Sequence, residues 1–325
     1  MDKRALIFGV SGQDGAYLSE LLLRKGYHVF GTSRDAQTSG FSNLIKLEIK
    51  DRINLLSVEI SDFRSVFQAL KRIQPHEVYN LAGQSSVGLS FDQPVETMES
   101  ISIATLNILE AIRFTELPIR FYNAGSSECF GDVQEPANEL TQFRPRSPYG
   151  VAKSAAFWEV ANYREAYRLF ACTGILFNHE SPLRPERFVT RKIVASASRI
   201  AHGSKEKLRL GKLNIFRDWG WAPEYVEAMW LMLQQAAADD FVIATGRTYS
   251  LEQFIEQAFT ALGLVWHEHV EIDETLFRPS DFDIGRADPT KAKELLGWTA
   301  YCDMPEVVRR MLKAELEGRK LTGSA

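Results

Sequence analysis

The first half of the chain alternates short apolar runs with longer amphipathic stretches. The short runs are rich in Val, Ile, Leu, Phe and Tyr, as expected of parallel strands buried on both faces. They lie at Ala5–Phe8, His28–Gly31, Leu55–Ile60, Val78–Ala82, Phe121–Ala124 and Gly174–Phe177. Helical stretches lie between them, at Ala16–Lys25, Phe63–Arg72, Ile103–Phe114 and Pro148–Arg168. This alternation predicts an α/β fold, a doubly wound parallel sheet with helices on both sides.

The pattern becomes irregular after about residue 178, where prolines interrupt shorter apolar runs. A further strand near Phe241–Thr245 can rejoin the sheet, so the second domain is built from more than one segment. We therefore expect a sheet domain of residues 1–177 plus about 218–247. A smaller, discontinuous domain then comprises about 178–217 plus 248–325.

Composition narrows the classes of function. The chain has 325 residues, 45% hydrophobic and 25% charged, with a formal net charge of -4. No segment concentrates Lys and Arg as a nucleic-acid surface does, which disfavours DNA or RNA as a partner. The apolar block Ala228–Leu233 falls well short of the ~20 residues of a membrane span, which disfavours a membrane protein. Three cysteines without metal-like spacing indicate reduced thiols and a cytoplasmic protein.

A glycine-rich turn follows the first predicted strand and precedes the first helix. Its sequence is Gly9-Val10-Ser11-Gly12-Gln13-Asp14-Gly15, with the spacing G-x-x-G-x-x-G. Glycines tighten such a turn and let backbone N–H groups approach a pyrophosphate at the helix N-terminus, where the helix dipole favours negative charge. The turn therefore predicts dinucleotide binding.

The end of the second strand bears on which dinucleotide is bound. An NAD enzyme usually places a carboxylate there for the ribose 2′-hydroxyl, whereas an NADP enzyme places a cation. Arg34 can grip a 2′-phosphate, with Thr32 or Ser33 in support, which favours NADP. Asp35 offers an alternative, because it can neutralise Arg34 as a surface ion pair.

Candidate catalytic residues come from two further segments. Tyr149 and Lys153 lie one turn apart on a helix that begins after Ser147, and an ammonium beside a phenol is expected to lower the phenol's pKa. Ser126 and Glu128 follow the fifth strand, at the edge where ligands bind in open α/β sheets. Ser126 can hydrogen-bond a substrate hydroxyl, and Glu128 can remove the acidic proton next to a new ketone.

Together these features resemble the extended short-chain dehydrogenase/reductase superfamily, which has a Rossmann fold. Longer blocks, covering nearly the whole chain, resemble the GDP-mannose 4,6-dehydratase family within it. The blocks are Gly9–Gly15, Glu77–Ala82, Pro145–Lys153, Gly174–Arg184, Phe188–Lys192, Arg217–Gln235 and Phe277–Pro279.

The resemblance implies a hydro-lyase reaction on a GDP-sugar, with tightly bound NADP that is regenerated in each turnover. Tyr149, with Lys153 and Ser126, would deprotonate the sugar 4-hydroxyl during oxidation at C4, and Glu128 would remove the C5 proton before water leaves from C6. Hydride would then return to C6, giving a 4-keto-6-deoxy sugar. Further cofactor contacts would come from Glu59, Ile60, Leu81, Ala82, Gln84, Ser85, His179 and Arg184, and from the catalytic Tyr149 and Lys153.

Substrate capture is assigned mainly to the second domain. Since the net charge cannot attract a diphosphate, local cations are required. Lys192, Arg217 and Arg278 lie in blocks that match the family's GDP-binding segments. The remaining implied substrate contacts are Ser85, Ser127, Asn178, Val189 and Gly211. By the same resemblance we expect a homodimer or a homotetramer.

The chain departs from the family at several positions. Ser126 stands where the family commonly has Thr, and Asp35 replaces the second residue of a common Arg pair, which leaves the strength of the NADP preference open. His267-Glu268-His269 has no third ligand nearby, so we expect no metal. Alternative functions are a 4,6-dehydratase of a related GDP-sugar such as a GDP-heptose, a nucleotide-sugar epimerase or reductase, and a catalytically silent NADP-binding regulator.

Overall fold

A computed structural model of the protein describes residues 3–322, with side chains through residue 318. The strands are β1 (Arg4–Phe8), β2 (His28–Ser33), β3 (Asn54–Ser57), β4 (Glu77–Asn80), β5 (Arg120–Ala124), β6 (Phe170–Leu176), β7 (Asn178–Glu180), β8 (Leu208–Leu210), β9 (Phe216–Arg217), β10 (Trp219–Trp221), β11 (Phe241–Ile243), β12 (Tyr249–Ser250) and β13 (Val270–Ile272).

The α-helices are α1 (Gln13–Arg24), α2 (Ser42–Lys46), α3 (Phe63–Ile73), α4 (Val87–Asp92), α5 (Pro94–Met98), α6 (Ala104–Thr115), α7 (Pro148–Tyr167), α8 (Val189–Ala201), α9 (Ala222–Met232), α10 (Leu251–Thr260) and α11 (Met304–Thr322). A π-helical turn, Glu99–Ile103, joins α5 to α6. No helix within residues 3–322 is long and apolar enough to cross a bilayer.

Seven parallel strands form the central sheet in the order β11-β6-β5-β4-β1-β2-β3. The chain runs outward from β1 in one direction through β2 and β3, and in the other from β4 onward. The prediction of a doubly wound sheet is therefore confirmed, as is a strand near residue 241 that rejoins it. Ligands of such sheets bind at the carboxyl ends of the strands, where the direction reverses, here between β1 and β4.

The third strand is shorter than its predicted range of residues 55–60. It ends at Ser57, and the chain turns at once toward α3. The carboxylate of Glu59 accepts hydrogen bonds from the backbone N–H and the hydroxyl of Ser61, and the N–H of Asp62 donates to the Glu59 carbonyl. These local bonds draw residues 59–62 out of the ladder.

Alternate residues of the strands build separate cores on the two faces of the sheet. Ala5 and Ile7 of β1 pack with α1 and α9, whereas Leu6 and Phe8 pack with α3, α6 and α7. All four side chains are fully buried. Side chains on both faces of a central strand are thus buried against helices. For this reason the sequences of these strands are continuous apolar runs.

A third core lies outside the sheet, among α8, α10 and α11. Trp219 and Phe254 meet there with ring centroids 5.5 Å apart. Short two-stranded ladders surround this core, and β10 lies parallel to β7, directly after the sheet strand β6. The segment of β9 and β10 therefore carries residues 216–221 past the carboxyl edge of the sheet.

Asp218 fixes this crossing segment. Its side chain is fully buried, and its carboxylate accepts hydrogen bonds from the backbone N–H groups of Thr245, Gly246 and Arg247, at 3.0, 2.8 and 3.1 Å. The loop after β11 is thereby tied to the segment between β9 and β10. As a result, the neighbouring Arg217 is held at the mouth of the sheet.

The edge strand β11 depends on Asp240, which gives a test of the fold. The Asp240 carboxylate accepts two bonds from the Arg164 guanidinium, at 2.9 and 2.6 Å, and one from the Thr173 N–H at 2.7 Å. Asp240→Ala leaves that buried N–H unpaired, so we expect the free energy of unfolding to fall by about 2–4 kcal/mol in urea titrations.

The matched control is Glu317→Ala, which removes an exposed ion pair with Lys313 whose atoms lie 3.8 Å apart. That pair is solvent-screened, so its loss should leave the unfolding curve unchanged. Equal destabilisation by the two substitutions would contradict the structural role of Asp240.

Candidate active site

Two adjoining cavities open at the carboxyl edge of the sheet. One, of about 750 Å³, lies over the glycine-rich turn, and the other, of about 400 Å³, lies over the ends of β5 and α7. They share a rim formed by Asp14, the segment 81–85, Arg184, Arg187 and Phe188. A molecule that occupies the larger cavity can therefore reach one bound in the smaller.

Every site residue predicted from the sequence lines one or both cavities. The larger cavity is lined by Gly9, Ser11, Gly12, Gln13, Asp14, Gly15, Arg34, Glu59, Ile60, Leu81, Ala82, Gln84, Ser85 and Arg184. The smaller is lined by Ser85, Ser126, Ser127, Glu128, Tyr149, Lys153, Asn178, His179, Arg184, Val189, Lys192, Gly211, Arg217 and Arg278.

The glycine-rich turn has no room for side chains at two of its glycines. Gly9 has φ +84°, and a Cβ there would lie 2.7 Å from the backbone of Leu81. At Gly15 a Cβ would lie 2.4 Å from the carbonyl oxygen of Gly9. Asn43 of α2, which no sequence motif indicated, donates from Nδ2 to the Ser11 carbonyl at 3.0 Å and so supports the turn from below.

Arg34 at the end of β2 is exposed and lines the larger cavity. Asp35 points elsewhere, because its carboxylate accepts hydrogen bonds from the backbone N–H groups of Gln37 and Thr38. The Thr38 hydroxyl and these N–H groups lower the pKa of Asp35. Within residues 3–322 no ion pair joins Asp35 to Arg34, so the surface pair that the sequence allowed does not form.

The four candidate catalytic residues lie around the smaller cavity. Ser147 caps α7 by accepting a bond from the Gly150 N–H at 3.0 Å, which fixes Tyr149 and Lys153 in its first turns. The Lys153 ammonium donates to the Ala124 carbonyl at 2.7 Å and lies 5.8 Å from the centre of the Tyr149 ring.

Beyond the end of β5 the chain enters a single 3-10 turn, Ser127–Cys129. The Ser126 hydroxyl caps it by accepting a bond from the Glu128 N–H at 3.2 Å. This turn places the half-buried Glu128 side chain on the cavity wall that also carries Tyr149. A phenol and a carboxylate from distant segments thus face one space.

Burial dominates the acid–base properties of these groups. It raises the pKa of Tyr149, against a smaller opposing effect of the Ser126 hydroxyl. It also lowers the pKa of Lys153 to about 8, and it raises the pKa of Glu128 against the opposing charges of Arg217 and Arg278. The pKa of Tyr149 is therefore raised in this structure, where the sequence predicted a lowered one, and burial is the main cause.

The arginines predicted to take phosphate are held by internal partners. The Arg217 guanidinium donates to the carbonyls of Phe216, Phe282 and Asp283 and lies 3.8 Å from the centre of the Phe282 ring. Asp281 contacts both Arg217 at 3.3 Å and Arg278 at 3.2 Å. These two arginines and Asp281 together carry a net positive charge, and both arginines also act on the nearby Glu128 carboxylate.

Other cations at the rim are also fixed. Lys192 donates to the Arg209 carbonyl at 2.6 Å, and Arg184 lies 3.1 Å from the Glu180 carboxylate. Sequence reasoning did not single out Arg187 and Arg209, which line the cavities as well. Arg187 directly precedes the block at residues 188–192 that resembles the family. That position was the one sequence signal that could have indicated Arg187 as a site residue.

Cys129, next to Glu128, is buried, and burial raises the pKa of its thiol to about 12. The thiol is therefore protonated at neutral pH and a poor nucleophile. Among the described residues, no group of three or more His, Cys, Asp or Glu side chains could hold a metal ion.

Solved structures define the class of fold. The dTDP-glucose 4,6-dehydratase of Bacillus anthracis, solved in complex with NAD, superimposes with a TM-score of 0.85, 17% identity and 98% of both chains covered. The UDP-glucose 4-epimerase of Thermotoga maritima, solved with UDP-glucose, has a TM-score of 0.86 and 21% identity over 97% of this chain and 99% of its own. The fold is that of the extended short-chain dehydrogenases/reductases.

Sequence comparison then gives the family. The GDP-mannose 4,6 dehydratase family matches residues 6–311. GDP-mannose 4,6 dehydratase 1 of Arabidopsis thaliana is 46% identical, covering 97% of this chain and 90% of its own, and the Homo sapiens enzyme is 43% identical, covering 96% and 91%. The chain belongs to the GDP-mannose 4,6-dehydratase family.

The packing of the glycine-rich turn predicts unequal effects of two similar substitutions. Gly15→Ala drives a methyl group into the backbone of Gly9 and Val10, so we expect the free energy of unfolding to fall by about 1–3 kcal/mol in urea titrations. At Gly12 the nearest atom to a new Cβ is 3.4 Å away, so Gly12→Ala should unfold like the unmodified protein. Equal losses would show that close packing is not what requires glycine at position 15.

Proposed function

We propose that the protein dehydrates GDP-D-mannose to GDP-4-keto-6-deoxy-D-mannose. The observation that carries this proposal is that Tyr149 and Glu128 face one cavity, with Lys153 and Ser126 beside them. A dehydrogenase needs one base, whereas elimination of water needs a second, and Glu128 supplies it. Membership of the family favours this activity over an epimerase, a reductase or a silent regulator.

The larger cavity is the proposed NADP site. Gly9 and Gly15 leave backbone at the start of α1 open to a pyrophosphate, which is the fit that a dinucleotide requires. The exposed Arg34 is free to take the 2′-phosphate. When bound, NADP supplies the hydride acceptor at C4 and the hydride donor at C6. The predicted residues 59–60 and 81–85 then line its adenosine side, with Arg184 and His179 near the nicotinamide half.

The protein's own groups carry the proton steps. Tyr149, as the phenolate that the Lys153 ammonium stabilises, takes the proton of the sugar 4-hydroxyl, with Ser126 as a hydrogen-bond partner. Glu128 then takes the C5 proton, which the new 4-ketone has acidified, and returns it to the departing C6 hydroxyl so that water leaves. When hydride reaches C6, C5 takes up a proton from solvent, and Tyr149 gives back to solvent the proton that it accepted. Burial raises the pKa of Glu128, which makes its carboxylate a stronger base toward the C5 proton.

The substrate diphosphate is proposed to bind beside Arg217 and Arg278, whose shared carboxylate leaves them net positive. Lys192 lies at the same rim. Neutral contacts to the nucleotide and sugar would come from Ser85, Ser127, Asn178, Val189 and Gly211.

We further propose that residues 1–177 with about 218–247 bind the cofactor, and that about 178–217 with 248–325 bind the nucleotide-sugar. A homodimer or homotetramer is supported by large apolar side chains exposed on α6 and α7, with Phe114, Tyr167 and Trp158 at 54%, 48% and 63% exposure. A cytoplasmic location is supported by three buried, unpaired cysteines.

Incubation with GDP-mannose and NADP tests the proposed function. We expect proton NMR to show a 4-keto-6-deoxy product while NADPH absorbance stays level, because reduction at C6 consumes what oxidation at C4 forms. Accumulation of NADPH in step with product would instead identify a dehydrogenase.

Glu128→Gln tests the second base. An amide cannot accept the C5 proton, so kcat should fall by at least about 100-fold while NADP affinity stays unchanged. Glu135→Gln alters an exposed carboxylate in the same loop and should leave kcat as it is. Undiminished turnover by the Glu128 variant would refute its role.

Arg34→Ala tests cofactor choice. Loss of a charge-assisted contact to the 2′-phosphate should weaken NADP binding by at least about tenfold and leave NAD binding unaltered, measured by calorimetry. Arg52→Ala, at an exposed site away from the cavity, is the control. An equal loss of affinity for NADP and for NAD would mean that Arg34 does not contact the 2′-phosphate.

A further inference from the structure

Asp14 occupies an unexpected place for a carboxylate. It lies in the first turn of α1 and lines both cavities. Burial acts to raise the pKa of Asp14, but the charge of His179 and the hydrogen bond with it outweigh burial and lower it. An ionised carboxylate therefore lies where the helix N-terminus would attract a pyrophosphate, and it would repel that ligand unless it is neutralised.

His179 of β7 supplies the neutralising charge. Its Nε2 lies 2.9 Å from Asp14 Oδ2, and its Nδ1 lies 2.7 Å from the carbonyl oxygen of Phe177. Carbonyl and carboxylate oxygens only accept hydrogen bonds, so each ring nitrogen must carry a proton. The geometry thus requires an imidazolium, which forms a buried ion pair with Asp14.

The surroundings of the ring favour the same state. His179 is buried and stacks on Tyr225 of α9 with centroids 4.5 Å apart, and Gly220 of β10 lies opposite in the ladder. The charged groups that act on it are Asp14 and, with opposite effect, Arg184 of the following loop. Burial acts to lower the pKa of His179, but Asp14 outweighs it and raises the pKa.

A second contact secures the pair. The Gln13 amide donates both to Asp14 Oδ1 at 3.0 Å and to the His179 carbonyl at 3.2 Å, and the Ser181 hydroxyl donates to the Gln13 oxygen at 2.8 Å. The glycine-rich turn is therefore joined to β7, and β7 leads directly to the rim residue Arg184. The ion pair connects the wall of the larger cavity with that of the smaller.

We propose that His179 is a positioning residue for the dinucleotide: its imidazolium cancels the charge of Asp14, so that a pyrophosphate can bind at the N-terminus of α1. This inference rests on the proposed NADP site and adds a role that His179 plays through Asp14 rather than by touching the cofactor. The contribution is fully present below the ordinary histidine pKa of about 6.5. It is lost as pH rises through the raised pKa of His179, which leaves only the more distant charges of Arg184 and Lys153 to act on Asp14.

Three variants measured by calorimetry with NADP separate charge from structure. His179→Gln keeps a donor to Asp14 but removes the cation, so NADP affinity should fall at least about tenfold. Adding Asp14→Asn removes the repelling charge and should restore most of that loss. Asp14→Asn alone should bind NADP with little dependence on pH, whereas the unmodified protein weakens as pH rises. His202→Gln, at an exposed position on the end of α8, is the control.

NMR of the imidazole nitrogens in cofactor-free protein provides an independent readout. The His179 signal, assigned by its loss in the Gln variant, should titrate above an ordinary histidine, and Asp14→Asn should lower that midpoint. A midpoint at or below the ordinary value, or a double variant that binds NADP as weakly as His179→Gln, would overturn the inference. If the unmodified protein binds no nicotinamide dinucleotide, the proposed function itself fails, whereas normal binding by His179→Gln removes only this inference.

Discussion

The site depends on how closely helix α7 approaches the end of strand β5. The Lys153 ammonium donates to the Ala124 carbonyl at 2.7 Å, which joins the helix to the strand. Gly150 permits the approach, because a Cβ there would lie 2.7 Å from the Glu128 carbonyl. This contact brings a phenol from the helix and a carboxylate from the strand end to one cavity, where burial and not a neighbouring charge sets their proton affinities.

Individual side chains at the site, and not the overall charge of the chain, balance the charge of the ligand phosphates. The chain as a whole is acidic, with a net charge of -4, so a diphosphate must be held by placed cations. Three of these cations have an internal partner: Asp281 for Arg217 and Arg278, and Asp14 for His179. Such partners keep long side chains oriented over the cavities before a ligand arrives, which reduces the conformational entropy lost on binding.

Much of the fold and of the candidate active site could be predicted from the sequence. Buried parallel strands give continuous apolar runs, so the sheet and the glycine-rich turn were evident, and the strand ends then implied where Glu128 and Arg34 lie. Contacts between distant segments could not be predicted. The support of Ser11 by Asn43, the contact of Arg217 with Asp281 and the His179–Asp14 pair all join residues whose proximity only the folded chain creates.

Two further predictions from the sequence were wrong: the direction of the phenol's pKa shift and the end of the third strand. A lysine one turn from a tyrosine suggested a lowered phenol pKa, yet burial raises the pKa of Tyr149. The boundary of the third strand was likewise misplaced, because the side chain of Glu59 bonds to the following turn rather than leaving its segment in the sheet.

In the proposed reaction one sugar ring lies between Tyr149 and Glu128 while its own hydride moves from C4 to C6. It is tested most directly with GDP-mannose deuterated at C4, converted in ordinary water and analysed by deuterium NMR. We expect the deuterium at C6 of the product, with hydrogen from solvent at C5. Deuterium lost to the free NADPH pool or to water would contradict it.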